Sequence, residues 1–229
     1  MTTAYRNRLS VSALAAASSF IALSAPVQAQ SVCSSVGTLV TCTNGTATTT
    51  IDADAVINAA AQGLSITDPT SLSAAIGGTI NTTSTLPGLQ VQSVGDLTLT
   101  ASSGGALSIV GTGGGVGADL SSTTGATTAT FGNVTVAGPF AVRAAGQTGT
   151  TLTTGSITDT SVSTPPLATV GSAITAYSFT GPATLVVNGN VVAAGAGNVV
   201  IGAVANASVG AAAATVNGSV TTTATAGSG

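Results

Sequence analysis

A four-residue unit recurs along this chain: glycine, then Asp, Asn or Ser, then an aliphatic residue, then Thr or Val. It stands at Gly95-Asp96-Leu97-Thr98, Gly132-Asn133-Val134-Thr135 and Gly155-Ser156-Ile157-Thr158. It returns at Gly189-Asn190-Val191-Val192, Gly197-Asn198-Val199-Val200 and Gly218-Ser219-Val220-Thr221. Successive units lie 37, 23, 34, 8 and 21 residues apart. Intervals near 21–23 read as one repeat, those of 34–37 as an irregular or doubled turn, and the step of 8 as two sides of one coil or a simple hairpin. Gly beside Asn or Asp tolerates left-handed backbone, so each unit reads as a strand entered from a tight corner.

Alternation supports the strands. Leu97 and Leu99 face one way and Thr98 and Thr100 the other; Val134 and Val136 alternate with Thr135, and Val199 and Ile201 with Val200. Period two with β-branched residues is the pattern of a pleated strand. A short coil of this kind cannot bury its apolar side alone, whereas stacked coils make a continuous core. The expected fold class is therefore all-β, a parallel β-helix (β-solenoid), with an antiparallel β-sandwich as the alternative. Helix signals are scarce. Residues 54–62 read as one or two helical turns, with Asp54 as N-cap and Gly63 at the end.

Charge removes whole classes of function. Only 4% of the residues are charged and histidine is absent. The cations are Arg6, Arg8 and Arg143; the anions are Asp52, Asp54, Asp68, Asp96, Asp119 and Asp159. So poor a supply of cations excludes nucleic acid as a partner. The mean hydropathy of +0.58 points away from disorder, which needs low hydrophobicity and high charge.

The N-terminus reads as an address. Arg6 and Arg8 precede an apolar, Ala-rich run from Leu9 to Leu23, Pro26 breaks it, and Val27-Gln28-Ala29 offers small residues for a signal peptidase. Cleavage is expected between Ala29 and Gln30, leaving one Arg against six Asp, a net charge of −5. Cys33 and Cys42 follow at once. An even cysteine count behind an export signal reads as a disulfide, here closing a small hairpin that turns at Gly37. The expected layout is a signal peptide at 1–29, a disulfide-closed cap at 30–50 and Gly/Thr/Ala-rich solenoid repeats at 51–229.

These features together resemble the N-terminal part of a bacterial autotransporter-type passenger. The resemblance rests on the leader, on Val32-Cys33 through Thr41-Cys42-Thr43-Asn44-Gly45, and on the Gly-Asn-Val-Thr units. It implies a right-handed parallel β-helix displayed at the cell surface or outer membrane, or extracellularly, with an outer-membrane translocator barrel as partner. No barrel is legible: that needs many amphipathic strands with aromatic girdles, and the chain has two Tyr and four Phe. The chain then reads as truncated within a longer passenger, or as released or anchored by a partner.

Other constellations are set aside. Asp52 and Asp54, two apart, suit neither a calcium loop nor a general acid/base pair without further ligands. Gly111-Thr112-Gly113-Gly114-Gly115-Val116-Gly117 lacks the lysine of a phosphate loop and reads as a corner. Asp68-Pro69 and Gly95-Asp96 read as turn formers. Pro165-Pro166 reads as a loop. No cofactor, metal or catalytic residue is expected, and a polysaccharide-acting β-helix enzyme fails on residue supply. The expected role is structural or adhesive, toward a host-cell or glycan surface. The alternative is a Thr-rich solenoid binding module of the ice-binding type. That alternative needs Thr-x-Thr in register on successive coils; Thr98 and Thr100 fit, but Val192 and Val200 are expected to interrupt the row.

Overall fold

The computed structural model describes residues 32–36, 39–43, 47–51, 56–59, 64–68, 70–101, 105–163, 171–196 and 200–225. Two short strands, β1 (Val32–Val36) and β2 (Leu39–Thr43), pair antiparallel. Every other pairing among the described strands is parallel. This is the β-solenoid, and the antiparallel sandwich is excluded.

The coils follow one another in chain order. The first is β3 (Ala47–Ile51), β4 (Val56–Ala59) and β5 (Leu64–Asp68). The next is β6 (Leu72–Ile76), β7 (Thr79–Thr82) and β8 (Leu89–Ser93), then β9 (Leu97–Ala101), β10 (Leu107–Gly111) and β11 (Ala118–Ser122). The long β12 (Ala126–Val136) serves two sides of its coil before β13 (Val142–Gly146). Then come β14 (Gly149–Thr154), β15 (Ile157–Ser163) and β16 (Gly171–Ser178), followed by β17 (Ala183–Val187), β18 (Val191–Ala196) and β19 (Val200–Ala207). Last are β20 (Ala212–Val216) and β21 (Val220–Thr225). Three faces result. The first stacks β3, β6, β9, the start of β12, β14, β17 and β20. The second stacks β4, β7, β10, the end of β12, β15, β18 and β21. The third stacks β5, β8, β11, β13, β16 and β19.

The core is a set of aliphatic ladders running along the axis. On the second face Ile80, Ile109, Val134, Ile157 and Val191 lie above one another, none accessible to solvent. On the third face the ladder is Leu64, Leu89, Ala118, Val142 and Ile174. Each coil buries its apolar side against the next, which is why strands this short persist. Two inward hydroxyls are absorbed by the coil itself: Thr127 donates to the Ala145 carbonyl at 2.7 Å and Thr150 to the Tyr177 carbonyl at 2.5 Å. A buried hydroxyl needs such a partner.

Three expectations are corrected. Residues 56–59 form β4, paired with β7, not a helix; Val56 and Ile57 fit a pleated ladder, and tertiary pairing overrides the local helical pattern. The repeat is longer and less regular than 21–23 residues. Partners on the first face, Leu72, Leu97, Thr127, Thr150, Ala183 and Ala212, are separated by 25, 30, 23, 33 and 29 residues. The intervals of 34 and 23 between units are therefore single coils. The corner glycines are also explained differently. Gly132, Gly155, Gly189 and Gly218 stack on one corner, and none has positive φ. Glycine is needed there for close approach: a Cβ on Gly155 would lie 2.5 Å from Asn133 Oδ1 and 3.0 Å from the Gly132 backbone.

The step of 8 is resolved as two sides of one coil, since β18 and β19 lie on different faces. Leu97, Leu99, Val134 and Val136 are buried while Thr100 and Thr135 are exposed, as alternation requires. In β19 Gly202 is buried and Ile201 half-buried, whereas the side chains of Val199 and Val200 lie outside the described residues. The same holds for Ala29, Gln30, Asp52, Asp54, Pro69, Pro165 and Pro166.

Candidate functional site

The functional question reduces to what each outer face presents. The second face is mixed: Asn81, Val110, Thr135, Thr158 and Val192 form one outward line. No chemistry recurs along it.

The third face carries the charge. Asp119 and Arg143 are directly opposed on β11 and β13. Arg143 donates to both carboxylate oxygens, at 2.9 Å from Nε and 2.6 Å from Nη2. Its guanidinium also lies 4.9 Å from the centre of the Phe140 ring. One coil further along the same face from Arg143, Tyr177 meets Phe179 edge-on at 4.6 Å and shares a 2.7 Å hydrogen bond with Ser208. The Arg143–Asp119 pair is partly exposed, so it stabilises little.

The first face is regular. Ser73, Thr98, Thr128, Thr151 and Thr184 occupy one register line across five successive strands. Two residues further along each strand stand Ala75, Thr100, Thr130, Thr153 and Val186. Strands β9, β12 and β14 thus each present Thr-x-Thr, backed by the buried Leu97, Leu99, Ala129 and Leu152. Val192 and Val200, expected to break the row, belong to strands of the second and third faces and leave it intact. Only alternation was legible beforehand; assigning Thr128, Thr130, Thr151 and Thr153 to one face needed the irregular coil lengths.

The remaining acids work within the fold. Asp96 Oδ1 accepts from the Ala126 amide at 2.8 Å and joins two coils at a corner. Asp68 is buried and its Oδ1 accepts from the amide and hydroxyl of Thr70, both at 2.7 Å, which closes the turn expected there. Asp159 points into the second face's ladder. Its Oδ1 takes the Ser161 amide at 3.0 Å, while Oδ2 has no protein partner. Burial raises its carboxyl from 3.8 to about 6, against the opposing effect of the Ser161 and Gly138 amides. Asp68 sits on the third face near one end and Asp159 on the second, so they form no carboxylate pair.

Among the described residues no group of three or more His, Cys, Asp or Glu is placed to hold a metal ion. Among the described residues no helix is long and apolar enough to cross a membrane, a statement that does not bear on β-barrels. At the N-terminus, β1 and β2 set the Cys33 and Cys42 backbones directly opposite one another. Compared with known proteins, the chain matches no family model, no curated protein and no solved structure.

Proposed function

We propose that this chain is an exported β-solenoid segment with a structural or adhesive role at a cell surface, of the kind carried by autotransporter passengers. The observation that carries the reading is a rigid stack of parallel coils downstream of a leader-like segment with Arg6, Arg8 and a small-residue site at Ala29. Stacked coils hide their strand edges against each other, so a nearly uncharged chain stays folded outside the cell without charged gatekeepers. Work done by such a molecule is done by its faces, and no catalytic or cofactor role is assigned to it. A translocator barrel, encoded downstream or supplied by another chain, would carry it across the outer membrane.

The test is protease shaving of intact bacteria expressing the full reading frame, with mass spectrometry of the released peptides. Peptides from the coils, together with an N-terminus at Gln30, support the reading. A chain that retains Met1 and is protected inside intact cells overturns it.

A further inference from the structure

We infer that the first face is an ice-binding surface, with Thr98, Thr100, Thr128, Thr130, Thr151 and Thr153 at its centre. The inference goes beyond surface display and rests on the solenoid alone, so it stands whether or not the chain is exported.

The geometry comes from the fold. Adjacent parallel strands lie about 4.8 Å apart, and residues two apart on one strand about 6.6 Å. Thr98, Thr128 and Thr151 share one register line, and Thr130 and Thr153 the next. The six side chains therefore form a two-dimensional array with spacings of the same order as those between water oxygens on a face of ice. Each threonine adds a hydroxyl, able to donate once and accept twice, and a methyl that water can only surround. β-Branching restricts χ1, so the hydroxyls are held in place before any water is ordered. Ordering the surface in advance removes an entropic cost of binding.

Two further observations fit this face to ordered water. The outward Thr135 and Thr158 of the second face are likewise unbonded among the described residues, so it is the array two threonines wide that sets the first face apart. First, the hydroxyls are unspent. Corner and interior threonines such as Thr124, Thr127, Thr150 and Thr180 donate to backbone carbonyls at 2.5–2.7 Å. Thr100 is 3.4 Å from the Ala74 carbonyl, a marginal bond, and the hydroxyls of Thr98, Thr128, Thr130, Thr151 and Thr153 make none among the described residues. Second, the face is electrically matched to a neutral lattice. No charged side chain projects from the described residues of its strands. Asp119 and Arg143 lie on the third face, Asp159 is turned inward on the second, and Asp96 sits at a corner, tied to Ala126. A charged group would keep its own hydration shell and break the lattice across the array; Ser73, Ala75, Thr184 and Val186 continue it with small neutral groups.

The experiment compares the full chain with Thr128→Lys, Thr151→Lys and Thr135→Lys. Thr135 is an exposed threonine on the second face and serves as the control. Thermal hysteresis and partition into a slowly growing ice front are read for each, with circular-dichroism melts to establish that all are folded. Expected is hysteresis and ice enrichment in the parent chain and in Thr135→Lys. Thr128→Lys and Thr151→Lys should fall to the level of an inert protein with unchanged melts. A folded parent chain that neither shows hysteresis nor enters ice overturns the inference. So does an equal loss in Thr135→Lys, which would take the effect away from this face.

Discussion

Val134 and Thr135 are chain neighbours in opposite environments: the first is inaccessible between Ile109 and Ile157, the second exposed. Val134→Asp sets a carboxylate inside an aliphatic ladder and should cost on the order of 5 kcal/mol, enough to unfold a modest domain. Thr135→Asp should cost less than about 1 kcal/mol. Paired thermal melts check the contrast, and equal destabilisation would contradict the facing. This contrast was readable in the Gly-Asn-Val-Thr unit, because alternation is a local property of the chain. The state of Asp159 was not: alternation sets it on the side of Ile157, but its burial beside Val136 and Ala193 depends on coils distant in sequence. Its folded carboxyl titrates near 6, above the ordinary 3.8. Between those values the folded protein keeps a proton that the unfolded chain has released. Stability should therefore be full at acid pH, fall as pH rises from about 4 to about 6, and level off beyond. Melting temperatures of the parent and Asp159→Asn across that window check this: the Asn variant should lack the slope.

The corner between the first and second faces is an element made by stacking. Asn133 Oδ1 accepts from the Ser156 amide at 2.9 Å, and Asn190 Oδ1 from the Ser219 amide at 3.0 Å. The glycine before each lets backbone rest on backbone. Gly155→Ala should thus destabilise by about 1–3 kcal/mol through overpacking, and Asn133→Ala by about 1 kcal/mol through a lost amide partner; denaturant titrations measure both. The sequence marks these residues clearly but points to a different reason, left-handed backbone, because contact with a residue 23 positions away leaves no local signature. For the same reason 54–62 reads as helical until β7 is there to pair with 56–59. The opposed backbones of Cys33 and Cys42 suit a cross-strand bond. Non-reducing peptide maps of exported protein should show the two joined, and free thiols would refute the disulfide.

Across the whole molecule the solenoid was legible and its period was not. Coils run from 23 to 33 residues and the corners absorb the difference, so the spacing of units along the chain is an unreliable ruler for the spacing of strands. That tolerance has a consequence for how such a chain changes over generations. An insertion inside a strand slips its register by one and turns every core residue outward; an insertion at a corner alters only the outline. Growth without disruption requires copying a whole coil. Duplicating residues 127–149 in frame would add one strand to each face, lengthen the rod by about 4.8 Å and append one more Thr-x-Thr step. Reach and threonine-bearing area are thereby linked, and both scale with coil copy number.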